Sequence, residues 1–225
     1  MDFVLWLGWV AAVTATLVGL PQAVRLWKTR RWDGVSAVNW ELRLACNLGW
    51  FAHGLIIGQW NIIVTNILAA LISVVVLWLL YHLFDVSLVR TLGIGVVVGA
   101  AMIVGDIWFG SAAFGLIACV PSLIGNCGQS VDLVRSRRLN GVSPAYLSVY
   151  CVNQVLWLSW GMLVHDSGTA ICSAIICAVV TFNMAWYLLR YAGVPAFHPR
   201  PEPAGTWVTD PRGDYDEVAL EKCSL

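Results

Sequence analysis

The sequence predicts an all-α polytopic membrane protein with seven transmembrane helices, organised as two parallel three-helix bundles joined by a linker helix. Hydrophobic residues make up 59% of the 225 residues and charged residues 12%, too few to form the polar surface of a soluble protein. Apolar stretches of membrane-spanning length follow one another, and a stretch containing a basic loop occurs twice. The formal net charge of zero removes any electrostatic basis for binding nucleic acid.

Seven apolar segments are long enough to cross a bilayer, which takes about 20 residues in a helix. They are residues 3–24, 37–57, 60–81, 88–106, 111–131, 144–164 and 168–190. The first segment lacks the basic start and the small-residue cleavage site of a signal peptide, so we expect it to remain as a helix. A segment that turns back within the membrane is the alternative for any one of them. The 13 tryptophans fit a chain with many membrane interfaces.

Basic residues mark one side of the membrane. Twelve of the 13 Lys and Arg residues lie on one side, in or beside the breaks after segments one, three and five or at and beyond the end of segment seven, and the remaining one, Arg43, lies inside segment two. By the positive-inside rule that side is cytosolic, which places the N terminus outside and the C terminus inside. We expect a multi-pass protein of the cell membrane, with an intracellular membrane as the alternative. Residues 191–225 are rich in proline and acidic residues and are predicted to form a disordered cytosolic tail.

The chain contains an internal repeat. A shift of 107 positions aligns Lys28–Ser36 with Arg135–Ser143, and residues 21–54 then give ten identities in 34 ungapped pairs. Each copy holds three segments, and segment four is left over. That additional crossing lets both basic loops face the cytosol, so the copies are parallel and related by an axis along the membrane normal. We divide the chain into a first repeat (1–84), a linker helix (85–110), a second repeat (111–190) and the tail (191–225).

The repeated motif points to a family. The first copy contains, in order, Leu20-Pro21-Gln22, a basic loop, Gly34-Val35-Ser36, Trp50, His53-Gly54 and Asn66. This order, together with the duplication over residues 1–190, resembles the PQ-loop repeat and is most similar to SWEET and SemiSWEET sugar transporters. The second copy departs from the pattern, since Gly128-Gln129 replaces Pro-Gln. The resemblance implies a facing pair of asparagines, for which this chain offers Asn66 and, by the shift, Ser173.

Six residues are predicted to form a solute site: Asn66, Ser173, Trp50, Trp157, Asn47 and Gln154. Counting about 1.5 Å per residue along the helices places the first four about 8–11 Å from the outer boundary and the last two one turn deeper. Amide, hydroxyl and indole groups suit a small polyol. The alternative role is lipid anchoring or core packing for each tryptophan, and an interhelical hydrogen bond for Asn66.

A second set of residues is predicted to bend or gate the helices: Pro21, Gln22, Gln129, Pro121 and Pro144. Pro21 lacks an N–H and cannot bond the carbonyl of Leu17, so segment one should bend near its cytosolic end. Pro121 offers a bend in the second copy, and Pro144 falls where the resemblance places a membrane proline. A static kink without a gating role is the alternative.

The leading functional hypothesis is a facilitative, uncoupled transporter of a small neutral polar solute, with a mono- or disaccharide as the first candidate. Glu41 and Arg43 are the ionisable residues clearly inside a segment, and the basic loop near Glu41 should keep it charged, so we expect no proton coupling. The alternatives are a PQ-loop amino-acid exporter and a non-transporting receptor or scaffold. The sequence shows no nucleophile–base pair and no cluster of metal ligands, so we expect no enzymatic activity, no metal and no cofactor. The expected partners are the solute and the lipid bilayer, and a homo-oligomer is left open.

Overall fold

Residues 3–29, 37–84, 89–136, 139 and 143–198 are described by a computed structural model, and within them the protein forms seven α-helices and no strand. The helices are α1 (Phe3–Thr29), α2 (Ala37–Ile56), α3 (Trp60–Phe84), α4 (Val89–Phe109), α5 (Ser111–Arg135), α6 (Pro144–Leu163) and α7 (Ser167–Tyr191). The predicted all-α fold class with seven helices is confirmed, and each helix contains one predicted segment almost entirely. The first basic loop, residues 30–36, and the tail beyond residue 198 lie outside the described residues.

Orientation in the membrane stays a prediction, and we use it only to name the two ends of the bundle. The outer end is the end at which α2 and α6 finish, and the inner end is the end at which they begin. Of the predicted tail, residues 191–198 are described. The N–H of Phe197 in this stretch donates to the carbonyl of Val134 at 2.9 Å, so the chain after α7 returns to the inner end of α5.

The helices differ in how strongly their length and apolar composition indicate that they cross a membrane. Among the described residues, three helices are long and apolar enough to cross a membrane: Trp60–His82, Ser111–Arg135 and Ser167–Tyr191. Phe3–Thr16 in α1 and Gly95–Phe109 in α4 are shorter apolar stretches. Helices α2 and α6 are more polar, but each has 20 residues, which is about 30 Å of helix and enough to cross the hydrocarbon core.

The outer ends of α2 and α6 have the same cap. The N–H of Gln59 donates to the carbonyl of Gly54, and the N–H of Asp166 donates to that of Gly161, both at 2.9 Å. The residue before each donor has a positive φ, 69° at Gly58 and 58° at His165. This is the left-handed ending that closes many helices, and glycine adopts it without strain.

The 107-residue shift that relates the sequence copies also relates the helices. It carries the bounds of α2 onto 144–163, which are those of α6, and the bounds of α3 onto 167–191, which are those of α7. Packing follows the same relation, because α3 lies between α1 and α2 while α7 lies between α5 and α6. Helix α4 contacts α2 and α5, and α1 contacts α6, so the two halves meet along these helices. The division into repeats stays a prediction, and these relations support it.

Small residues let the helices of the second half approach closely. A Cβ built on Gly115 of α5 would collide with the backbone of Gly168 in α7, and one built on Gly168 would lie 2.7 Å from the carbonyl oxygen of Ser111. Close approach through glycine is a common way for helices to pack in membranes, where apolar burial alone does not favour association. The α5–α7 contact therefore fixes the outer end of the second half.

Candidate solute site

A cavity of about 510 Å³ lies between the two halves of the bundle. It is lined by residues of α1, α2, α3, α5, α6 and α7, so every helix except α4 contributes to its wall. All six residues of the predicted solute site line it: Asn47, Trp50, Asn66, Gln154, Trp157 and Ser173. The structure thus brings these residues together, while their role in binding a solute stays a prediction.

Helices α2 and α6 face each other across the cavity with matching positions. The matching lining residues are Asn39, Arg43, Cys46, Asn47 and Trp50 on α2 and Tyr146, Tyr150, Asn153, Gln154 and Trp157 on α6; Leu42 of α2 also lines the cavity and has no lining counterpart. The spacing of three or four residues keeps each set on one helix face. Each residue of the first set lies 107 positions before one of the second. The cavity therefore has the shape of a symmetric site but a different chemistry on its two sides.

Asn66 and Trp157 contact residues of their own half, whereas Trp50 contacts a residue of the other half. The side-chain amide of Asn66 donates to the carbonyl of Ile62 at 2.8 Å, one turn back on α3. This bond lies within one helix, so the alternative role of Asn66 as an interhelical link is not what the structure shows. Trp50 packs edge-on against Phe114 with ring centres 4.7 Å apart. Trp157 packs edge-on against Trp160 at 5.6 Å, so both indoles have a fixed tilt at the cavity wall.

The deeper amides also have partners in neighbouring helices. Asn153 is buried and its side-chain amide donates to the carbonyl of Ala11 at 3.0 Å and to the hydroxyl of Thr14 at 2.7 Å, which joins α6 to α1. The amide of Asn47 reaches the hydroxyl of Ser73 at 3.4 Å, which joins α2 to α3. Sequence reasoning missed Asn153, although its position one residue before Gln154 on the same helix face would have suggested it.

The predicted gate residues differ in whether they line the cavity and in where they lie along their helices. Pro121 and Gln129 line the cavity from α5. Pro121 lies inside the helix and removes the bond to the carbonyl of Ile117, so α5 can bend there. Pro144 is the first residue of α6, where proline costs no hydrogen bond, so it produces no bend within the helix. Pro21 and Gln22 lie within α1, and their side chains are not among those described.

Polar residues that the sequence analysis did not single out join α5 to α7 at the inner side of the cavity. The amide of Asn183, which is fully buried, donates to the carbonyl of Asn126 at 3.2 Å and to the side chain of Gln129 at 3.4 Å. The hydroxyl of Ser130 donates to the side-chain oxygen of Asn183 at 2.6 Å. Gln129 is thereby tied to α7, so a movement of this part of α5 would have to carry α7 with it.

A buried ionic cluster closes the outer end of the bundle. The two ring nitrogens of His53 contact two carboxylates, Asp106 at 2.7 Å through Nδ1 and Asp166 at 3.2 Å through Nε2. His53 is completely buried, and the side chains of Asp106 and Asp166 are 3% and 4% exposed. The ring of Phe114 stacks on the imidazole with centres 4.2 Å apart. Each ring nitrogen faces a carboxylate oxygen, an arrangement that suits an imidazolium ion donating to both carboxylates. We call His53, Asp106 and Asp166 the outer cluster.

Asp166 is the best-connected member of the outer cluster. It caps α7 by accepting from the N–H groups of Gly168 and Thr169, each at 3.1 Å, and it also accepts from the hydroxyl of Ser111. Burial alone would raise the pKa of Asp166. The bonds from the His53 ring, from a hydroxyl and from a backbone N–H outweigh burial and hold the pKa of this carboxyl well below its usual range.

The outer cluster corrects one part of the sequence analysis. The sequence indicated Glu41 as the carboxylate inside a helix and assigned no role to His53. In the structure Asp106 lies within α4, one turn before its end, and is as buried as Asp166. The three residues are more than 50 positions apart in the chain, so no local sequence pattern predicts that they are in contact in the folded protein.

The cluster joins the two halves on one side of the cavity only. His53 and Asp106 belong to α2 and α4, whereas Asp166 precedes α7 in the second half. None of the three lines the cavity, whose wall runs from the level of Trp157 to Asn39 and Tyr146 at the inner ends of α2 and α6. The cavity wall thus extends to the inner ends of α2 and α6 and stops short of the outer cluster.

Comparison with known proteins identifies this arrangement. No family model matches the chain. The chain is 29% identical over 77 residues to the sugar transporter SemiSWEET of Escherichia coli (strain UMEA 3162-1), which covers 34% of this chain and 86% of that protein. The structure of this chain matches that of a eukaryotic SWEET transporter determined at 3.7 Å resolution. The TM-score is 0.65 and the sequence identity 12%, and the match covers 85% of this chain and 100% of the SWEET chain. The fold is SWEET-like.

This result confirms the resemblance to SWEET and SemiSWEET proteins that the sequence motifs indicated. It also supports the expectation that the chain is a membrane protein and not an enzyme, since both relatives are transporters. Within the SWEET-like fold, the cavity and the outer cluster take their residues from both halves, so each depends on how the halves are positioned.

Proposed function

We propose that this protein is a facilitative transporter that moves a mono- or disaccharide across its membrane by alternating access. The observation that carries the proposal is the cavity between the halves, with an amide and an indole at matching positions on α2 and α6 and with hydroxyls elsewhere in its wall. Its volume of about 510 Å³ lies within the range of small-molecule sites, about 300–1,000 Å³. The relative named as a sugar transporter and the SWEET-like fold support the same solute class.

The side chains of the cavity suit a sugar that must bind and leave again. Amide and hydroxyl groups both donate and accept hydrogen bonds, so they can exchange water for solute hydroxyls at small net cost. The indoles of Trp50 and Trp157 offer flat apolar faces to a sugar ring. An amino acid fits less well, because no carboxylate lies among the described lining residues to accept its ammonium group.

Alternating access requires that one end of the cavity closes when the other opens. The outer cluster closes the outer end through contacts between the halves, and the cavity reaches the inner end. Transport then requires separation of His53 from Asp166 while the inner ends of α1, α2, α5 and α6 come together, with α7 moving together with α5. Pro121 gives α5 a point at which its inner part can move relative to its outer part.

We also propose that transport is not coupled to protons. The carboxylates of the outer cluster and that of Glu41 do not line the cavity, so none contacts the solute directly. Uptake of radiolabelled sugars and amino acids into proteoliposomes that contain only this protein tests both proposals. We expect saturable uptake of at least one sugar that stops at equal concentrations and is unaffected by a protonophore. Uptake of amino acids alone, or accumulation that a protonophore abolishes, would contradict them.

A further inference from the structure

Arg43 is an unexpected residue in the wall of a sugar site. It carries the one formal charge among the described residues that line the cavity, and its side chain is exposed there. It lies on the same face of α2 as Asn47 and Trp50, one and two turns nearer the inner end. The matching position on α6 is Tyr150, so the charge is present on one side of the cavity only.

In the described part of the chain, no carboxylate lies within 4.0 Å of the Arg43 guanidinium. The guanidinium carbon lies over the ring of Trp40, 5.4 Å from its centre. Glu41 is two residues away, which on a helix is about 200° around the axis, and it is buried outside the cavity wall. The positive charge therefore faces the cavity without a neutralising anion beside it.

A fixed cation in a cavity with low-dielectric walls concentrates anions, because the walls focus its field into the opening. Arg43 has neighbours that would help to hold an anion. The hydroxyl of Tyr150 accepts from the amide of Asn126 at 3.4 Å, so its own hydrogen is available to donate across the cavity. Asn47, one turn from Arg43 toward the outer end, supplies an amide for the hydroxyls of the same solute.

We infer that Arg43, with Tyr150 opposite, forms an anion subsite and that the transported solute is a sugar acid, a sugar that carries a single carboxylate. Guanidinium binds carboxylate through two parallel hydrogen bonds, which gives orientation as well as affinity. A phosphate monoester carries about −1.5 to −2 charges at neutral pH, which one guanidinium does not neutralise. The structure therefore favours the carboxylate over the phosphate.

This inference rests on the proposed function and narrows its substrate class. The solute expected from the sequence is neutral, because the layer of Asn66 and Ser173 contains no charge. The structure extends the site two turns toward the inner end, as far as Arg43. A ring at the level of Asn47 and Gln154 would have its acid group directed toward the guanidinium.

The test compares a matched pair of solutes, D-glucuronate and D-glucose, in proteoliposomes that contain the full-length protein. Initial uptake of each radiolabelled sugar is measured at pH 7, well below saturation, and the ratio of acid to neutral uptake is the readout. The variants are Arg43→Gln, Arg43→Lys and the control Arg135→Gln. Arg135 is exposed at the inner end of α5 and does not line the cavity, so its replacement changes the same charge elsewhere. Glucose 6-phosphate and inorganic phosphate are added as competitors.

We expect the wild type to take up the acid in preference to the neutral sugar. Arg43→Gln should lower the ratio by about tenfold, as expected for the loss of a charge-assisted hydrogen bond. Arg43→Lys should keep part of the preference, Arg135→Gln should keep all of it, and the phosphates should compete weakly.

Three results would overturn the inference. If the wild type transports glucose but does not prefer the acid, the anion subsite is contradicted by the wild type alone, while the proposed sugar transport still stands. A preference that survives in a folded Arg43→Gln protein contradicts the role of Arg43. Uptake of neither sugar by the wild type contradicts the proposed function and the inference together.

Discussion

Replacing His53 by glutamine removes the cation that lies between the carboxylates of Asp106 and Asp166. His53 is 0% exposed and the side chains of Asp106 and Asp166 are 3% and 4% exposed, so water does not compensate for the loss. Removing one partner from a buried ion pair costs about 3–5 kcal/mol, because the charge that remains is left uncompensated. Glutamine also loses the stacked contact with Phe114. We expect the melting temperature of the protein to fall on the order of 10 °C.

Thermal unfolding of the purified full-length protein in a single detergent measures this effect. His82→Gln is the matched control, because His82 is exposed near the end of α3 and its contacts are ring edges of Trp78 and Tyr81. A change at such a site should stay within about 0.5 kcal/mol. If His53→Gln and His82→Gln lower the melting temperature equally, the outer cluster does not hold the two halves together.

Three further predictions concern the site, the acid stability and the hinge. Asn66→Ala should reduce sugar flux severalfold without loss of folding, since a hydrogen bond to the solute contributes about 0.5–1.5 kcal/mol; normal flux would remove Asn66 from the site. The depressed pKa of Asp166 means that its carboxylate stabilises the fold above its unfolded pKa of about 4, and that this stability is lost as the pH falls below that value. Thermal unfolding at a series of pH values should therefore show a steeper acid loss in the wild type than in Asp166→Asn, and parallel curves would contradict this. Pro21→Ala should slow sugar exchange while leaving the affinity for sugar unchanged. Gly128→Ala should slow exchange much less, because a Cβ on Gly128 meets no atom within 4 Å. Equal slowing by both variants in exchange assays would refute the role of Pro21 as the hinge of α1.

The helices could be predicted from the sequence because their signals are local. Apolar length and short polar breaks mark each span, and the cap at Gly58 and His165 recurs at the same shift as the surrounding motif. The cavity residues could be predicted for the same reason. Once the helices and the repeat are assigned, spacing alone places Asn47 and Trp50 on one face, opposite Gln154 and Trp157.

The outer cluster could not be predicted in this way. His53 has Trp160 at its repeat-related position, a large apolar residue that is 2% exposed. Symmetry therefore gives no indication that an ionic group lies there. Asp106 belongs to the linker helix, which has no counterpart in either copy. The cluster exists because α2, α4 and the start of α7 converge at the outer end, and that convergence is a property of the tertiary structure.

For Arg43, the sequence predicts the position along the helix but not the direction of the side chain. Its position inside segment two is plain from the sequence, but whether its side chain turns to the lipid headgroups, to a carboxylate or to a cavity depends on the rotation of α2. The packing of α2 against α3 and α4 sets this rotation and leaves the face of Arg43 toward α6.

The central claim is that the cavity between the halves binds a sugar, and a native cysteine tests it directly. Cys46 lines the cavity beside Asn47, whereas Cys127 is exposed on α5 away from the cavity wall. Purified full-length protein is treated with a thiol-alkylating reagent with and without each sugar of the transport panel, and labelling at each cysteine is followed by peptide mass spectrometry. We predict that a transported sugar slows the labelling of Cys46 and leaves that of Cys127 unchanged. Labelling of Cys46 at one rate with every sugar, including one that the protein transports, would contradict the account.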